Sequence, residues 1–286
     1  MEKINIGIVG FGFVGSSVAY GFSPQTGFDD AKIRIYDKDA SKSTHSLENV
    51  LDESDFIFLS VPTPSNPDGT INISILHSVL SELDSHGTKD GCIVLVRSTI
   101  TPGTTRGFEE KYKNITFVFN PEFLTERSAK FDFINQSRFI LGGDPENTKK
   151  VSELFKIRFG SSTPTIETNF ETAEFIKYMN NCYYATKVSF MNEMRLIADK
   201  SNVDWRAAVD GFVRDGRIGH SHLAVPGPDG RRGFGGSCFP KDIQALMSYA
   251  ESIGVNTNVL KGAWETNLEV RPEKDWEKLK GRAVSE

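Results

Sequence analysis

The stretch "INIGIVGFGFVG", residues 4–15, decides the fold. Ile4, Ile6, Ile8 and Val9 make a short apolar run, as a buried strand requires, and the run ends at Gly10. "GFGFVG" (10–15) then turns the chain into a helix over 13–22 that opens on Phe13 and Val14. Gly10 permits the tight turn, Gly12 lets a pyrophosphate approach the backbone, and Gly15 lets the helix pack closely on the sheet. The free N–H groups of the helix start face the phosphates. A second strand, "KIRIYD" (32–37), closes on Asp37. A carboxylate there accepts hydrogen bonds from ribose hydroxyls and repels a 2′-phosphate, which favours NAD over NADP; the neighbouring Lys38 weakens that preference.

Strand and helix keep alternating outward from this unit. Strands are expected at 55–61, 92–98, 115–120, 138–143 and 163–168. Helices are expected from Asn72, after a Thr101-Pro102 cap, and over 145–159. Such alternation predicts an α/β, Rossmann-like, doubly wound and mostly parallel sheet with both faces covered. The pattern changes near Asn169. One long helical run reaches Lys200 without Gly or Pro, and helical segments follow at 204–213, 240–253 and 256–270, separated by a glycine-rich loop at 216–236. The chain therefore divides into an NAD-binding domain, 1–168, and a long connecting helix plus helical domain, 169–286. The polar end "RPEKDWEKLKGRAVSE" is expected on the surface.

Composition narrows the function. A net charge of −5 gives no global attraction to nucleic acid or an anionic membrane, so an anionic substrate needs local cations. No apolar run is long enough for a membrane span, and the N-terminus starts directly as a strand, without a signal-peptide layout. Cys92, Cys182 and Cys238 form no disulfide pattern, in keeping with a reducing cytoplasm. His220 and His222 have no evident third metal ligand, so no metal is expected.

Several motifs sit where chemistry would need them. "VPTPS" (61–65) and "RSTITPG" (97–103) follow strands at the carboxyl edge, where ligands bind open α/β sheets. Val61, Pro62, Thr63, Ser98 and Thr99 are the cofactor contacts expected there. "NPEFLTE" (120–126) offers Glu122 and Glu126 for acid–base work; alone, they read as solvated loop acids. Lys177 and Asn181, four apart on the long helix, form an oxyanion clamp or an ordinary solvated face. In "GFGGSCFPKD" (233–242), Pro240 starts a helix, placing Cys238 at its positive end with Lys241 and Asp242 close by. Helix and lysine both favour a thiolate, and the glycines would let the backbone approach a ligand; the plainer reading is a small cysteine at a glycine turn.

In this order, "GFGFVG", "VPTP", "STITPG", "PEFLTE", "KYMNNCYYATKVSFMNE", "RIG" and "GFGGSCFPKD" resemble the nucleotide-sugar 6-dehydrogenases, over residues 1 to about 270. The resemblance implies a four-electron oxidation of a sugar C6 alcohol to a carboxylate, with two NAD used in succession. UDP-glucose to UDP-glucuronate is the first expectation; UDP-N-acetylmannosamine and GDP-mannose are alternatives. It implies Cys238 as the nucleophile that carries a thiohemiacetal and then a thioester, Lys177 and Asn181 as oxyanion stabilisers, and Asp242 and Glu126 in proton transfer and water activation. The resemblance further implies that Thr99 positions a water. Glu126 and Lys241 also join the cofactor contacts. Glu122, Phe123, Leu124, Phe234, Gly235 and Arg217 join Lys177, Asn181 and Cys238 as substrate contacts, with Arg217 reaching a neighbouring subunit's sugar. A homodimer through the 169–200 helix follows from this. Family members usually continue into a further nucleotide-binding domain, and the chain to Glu286 holds no third Rossmann unit. Two other readings stay open. One is a hydroxyacid-type dehydrogenase with Lys177 as base and a single hydride transfer; the other is a non-catalytic NAD-binding protein.

Overall fold

The computed structural model describes residues 3–285. Seven strands form one sheet: β1 (Ile4–Val9), β2 (Ala31–Tyr36), β3 (Phe56–Leu59), β4 (Ile93–Val96), β5 (Phe117–Phe119), β6 (Phe139–Gly142) and β7 (Thr165–Thr168), in the spatial order β2-β1-β3-β4-β5-β6-β7. All neighbours run parallel except β5 and β6, which meet antiparallel at Phe119 and Gly142. The helices between them are α1 (Phe13–Gly21), α2 (Leu47–Glu53), α3 (Ser74–His86), α4 (Thr104–Lys111), α5 (Ala129–Ile134) and α6 (Pro145–Phe159). This is the mostly parallel α/β sheet that the strand–helix alternation predicts.

Alternation along the strands builds two cores. Ile6, Ile8, Phe58, Leu95 and Val118 pack with Val18 and Phe22. Ile57, Leu59, Val94, Val96, Phe117 and Phe119 pack with Leu76, Leu80, Leu83 and Phe108. Each such side chain, fully buried, contributes about 1.5–3 kcal/mol. Both cores lie in a compact unit made of the chain up to Thr63 together with Ile73–Lys177.

The second unit comprises Pro64–Asn72 and the chain from Tyr178 onward. The long helix α7 (Phe170–Asp199) runs through the division. Beyond it come α8 (Trp205–Val213), α9 (Phe239–Ser252) and α10 (Asn258–Val270). Tyr178, Cys182, Ala185, Phe234, Ile243 and Ala263 form the centre of this unit's core.

Two expectations need correction, and two short helices have no sequence signal. Helix α4 begins at Thr104, not at the Thr101-Pro102 pair: Gly103 takes φ +91, which turns the chain once more before the helix starts. Helices α2 and α5 have seven and six residues, too few to display a periodic pattern. The polar C-terminal stretch is packed in part. Trp276 and Ala283 are buried, Trp276 lies against Trp264, and residues 283–285 pair with Ser65 (Ser65 N to Ala283 O 3.0 Å, Ser285 N to Ser65 O 2.8 Å).

Candidate active site

The β1–α1 turn is shaped by glycine. A Cβ on Gly10, which has φ +89, would stand 2.6 Å from Ser60 O, and one on Gly15 would overlap Gly10 O. Gly12 is exposed, with no atom within 4 Å of the corresponding position, so this turn of the backbone is open to a phosphate. Asp37 Oδ2 accepts the Phe11 N–H at 2.6 Å and Oδ1 accepts the Asp39 N–H at 2.9 Å. The carboxylate is therefore oriented beside the glycine turn, while Lys38 is exposed. Two hydroxyls bind the edge loops together: Thr63 Oγ1 donates to Thr99 O at 2.8 Å, and Ser98 Oγ donates to Val61 O at 2.7 Å. Pro62 is exposed. These residues suit the pyrophosphate and ribose of a dinucleotide.

The same unit holds a buried ion pair. Lys177 Nζ lies 2.8 Å from Glu122 Oε1 and 2.5 Å from Glu122 O, and Glu122 Oε2 accepts the Leu124 N–H at 2.8 Å. The ammonium also stands 5.7 Å from the Phe123 ring centroid. Glu122 is thus a buried partner of the lysine, not a solvated loop acid, whereas Glu126 is exposed. Arg97, one residue before Ser98, is buried with its Nε and Nη2 unpartnered, and Nη1 bonds Asn120 Oδ1. Burial pushes its guanidinium down to about 10, with Glu122 pulling the other way.

The second unit carries the thiol. Cys238 is the N-cap of α9 and half-buried, and Pro240 occupies the first turn as expected. Its Sγ lies 3.8 Å from Ser237 Oγ, and its carbonyl accepts the Asp242 N–H at 2.9 Å. Asp242 is buried, with Oδ2 accepting from Asn181 Nδ2 at 2.6 Å and Oδ1 from Lys241 Nζ at 2.7 Å. Burial raises the other two thiols, Cys92 to about 12 and Cys182 further still. Cys238 is the one thiol of the three that is not buried.

Two family models match this chain: the NAD-binding domain of the UDP-glucose/GDP-mannose dehydrogenase family over residues 34–158, and its central domain over residues 171–269. A UDP-glucose 6-dehydrogenase of Rickettsia typhi is 30% identical over 94% of this chain and 68% of its own length. The chain belongs to the UDP-glucose/GDP-mannose dehydrogenase family. A UDP-glucose 6-dehydrogenase of Rickettsia prowazekii is 33% identical over 82% of this chain, and the match spans 54% of that relative's length. Among solved structures, a UDP-glucose dehydrogenase of Pyrobaculum islandicum aligns over 97% of this chain and 71% of its own, with TM-score 0.80 and 26% identity.

Within this family frame, Glu122, Phe123, Leu124 and Lys177 come together in the first unit, and Asn181, Cys238, Lys241 and Asp242 in the second. Phe234 is buried beside α10, and Gly235 lies against Arg271 and Asp275. Arg217 is exposed and paired with Asp215 at 2.5 Å. Among the described residues, no group of three or more His, Cys, Asp and Glu is arranged to hold a metal, and no helix is long and apolar enough to cross a membrane.

Glu174 is a buried residue the motif reading missed. It accepts from Gly103 N at 2.6 Å, Thr105 N at 2.8 Å and Thr105 Oγ1 at 2.6 Å, and so caps α4. Its spacing from Lys177, one helical turn on the same face, was the available signal.

Proposed function

We propose that this chain oxidises the C6 alcohol of a nucleotide sugar to a carboxylate through a covalent adduct on Cys238, with UDP-glucose as the first candidate and UDP-N-acetylmannosamine or GDP-mannose as alternatives. The observation that carries this reading is Cys238 at the first turn of α9, its carbonyl bonded to the N–H of an Asp242 that Asn181 and Lys241 hold from both sides. NAD, when bound, accepts a hydride at each of the two oxidations. The open glycine turn at Gly12 and the oriented Asp37 suit its pyrophosphate and ribose.

The chain's own groups supply the rest. An aldehyde lacks the leaving hydride of an alkoxide until a nucleophile adds to it. The Cys238 sulfur adds to the C6 aldehyde carbon, and the carbonyl oxygen takes a proton to give a thiohemiacetal. Removal of a hydride and that proton leaves a thioester. Water adds to the thioester carbonyl, the sulfur leaves as thiolate, and the carboxylate is released. The helix N-terminus and Lys241 favour the thiolate. Lys177 and Asn181 are the donors for the developing oxyanion, each worth about 3 kcal/mol where such donors have been removed elsewhere. Asp242 and Glu126 serve proton transfer and water activation, and Thr99 holds the water.

The chain spans about half to two thirds of the Rickettsia relatives it matches, so activity and substrate are proposals for it. A homodimer through α7 is part of the proposal. Phe175, Met179, Tyr183, Phe190 and Ile197 are exposed and fall within about a quarter of the helix circumference. Arg217, exposed, would exchange its pairing with Asp215 to reach a neighbouring subunit's sugar. Three free cysteines suit a reducing cytoplasm.

The test is to count NADH formed per UDP-glucose consumed. Two NADH, lost in Cys238→Ala, is the expected result. One NADH favours single hydride transfer with Lys177 as base, and none favours a binding role alone.

A further inference from the structure

The glycines ahead of Cys238 approach protein side chains. A Cβ on Gly235 would lie 2.5 Å from both Arg271 Nη2 and Asp275 Oδ1, and one on Gly233 would overlap Asn267 Oδ1. The loop backbone is gripped at the same places. Gly233 N donates to Asn192 Oδ1 at 3.1 Å, and Phe234 N donates to Asn267 Oδ1 at 2.7 Å. Asn267 Nδ2 returns a bond to Phe234 O at 3.0 Å. Arg271 orients the Asp275 carboxylate with two bonds, Nε to Oδ1 at 2.7 Å and Nη2 to Oδ2 at 3.1 Å, and reaches Asp229 Oδ2 at 2.6 Å and Arg232 O at 3.2 Å.

Asn267 and Arg271 are both buried. A buried amide and a buried guanidinium cost stability unless their polar atoms are satisfied, and here several of those bonds end on the backbone of residues 232–234 or on Asp275. Glycine has more conformational freedom to lose on folding than any other residue, and three stand in residues 233–236. Attack on a carbonyl carbon requires the sulfur in one place, and a small displacement is costly in rate. The last of these backbone bonds, at Phe234, stands four residues before the sulfur.

We propose that Asn267 is a positioning residue for Cys238, acting from α10 through its paired bonds to Phe234. This inference rests on reading Cys238 as the nucleophile, and its test does not use turnover.

The experiment measures alkylation of Cys238 by iodoacetamide in the full chain at mildly alkaline pH. Cys92 and Cys182 are buried, and Cys238→Ser gives the background. Asn267→Ala removes both bonds to Phe234 and is expected to lower the rate constant about tenfold, the equivalent of one to two hydrogen bonds. Asn267→Asp keeps the acceptor for the Phe234 N–H but sets an oxygen against Phe234 O, and is expected to lower the rate as well. NAD affinity of both variants stays near that of the parent. Alkylation of both variants at or above the parent rate overturns the proposal. If Asn267→Ala does not fold, Asn267→Asp against the parent decides alone. Failure of the nucleophile reading looks different: a Cys238→Ala protein would still yield two NADH, with the alkylation series unaffected.

Discussion

Lys177 Nζ and Glu122 Oε1 are 2.8 Å apart, and both side chains are shut away from solvent. Two acceptors of one residue, Glu122, take the lysine's N–H groups. The lysine holds the loop after β5 by its carbonyl and its carboxylate together. Removing one partner of such a pair strands the other.

Lys177→Met should therefore lose stability as well as any catalysis. The expected cost is about 3 kcal/mol, at the lower end for a broken buried pair because Arg97 still faces Glu122. Calorimetry would read a Tm lower by about 10 °C. An unchanged Tm would mean that the pair does not anchor the loop.

Glu174 gives a pH signature. Burial raises its carboxyl from 4.5 to about 7, against hydrogen bonds from Thr105 and Gly103 that pull it down. The folded state then holds this proton more tightly than the unfolded state. Its stabilising contribution is present in full below about pH 4.5 and is lost as the pH rises through about 7. Denaturant unfolding at about pH 5 and about pH 8 should show the parent losing about 2 kcal/mol relative to Glu174→Gln. A constant gap would mean that the three donors keep the carboxylate ionised throughout.

Asp37→Ala should weaken NAD about tenfold, the worth of a lost charge-assisted hydrogen bond, and narrow the preference over NADP. Fluorescence titration with both cofactors measures it. An unchanged ratio would place the ribose contact on another residue.

Two glycines should respond in opposite ways to alanine. Gly12→Ala meets no atom within 4 Å, so stability should hold within about 0.5 kcal/mol while NAD affinity falls. Gly235→Ala meets Arg271 and Asp275 at 2.5 Å and should cost about 1–3 kcal/mol. Urea unfolding of both variants separates a ligand-facing glycine from a packing one; equal losses would contradict the assignment.

Much of this architecture was legible in the residues. The strand before Gly10, the proline at the start of α9 and the long run of α7 rest on local rules, and each element forms where those rules put it. What escaped was tertiary. Gly233 and Gly235 announce a close approach but not its partner; on the side where a Cβ would stand, the structure has Asn267, Arg271 and Asp275. Glu174 carries no motif of its own, since its meaning lies in the N–H groups of a helix some 70 residues earlier. Trp276 sits in a polar stretch and is buried by contacts that no local pattern encodes.

Glu174 and Lys177 stand one turn apart on α7, and each grips a different loop of the sheet edge. At their strand ends the two loops are also tied together, Arg97 Nη1 donating to Asn120 Oδ1. Either could lengthen or change its crest without shifting its neighbour, provided that tie and its hold on the helix survived. Diversity in what the edge admits can accumulate on the loops, while the helix keeps the common ruler against which both are measured.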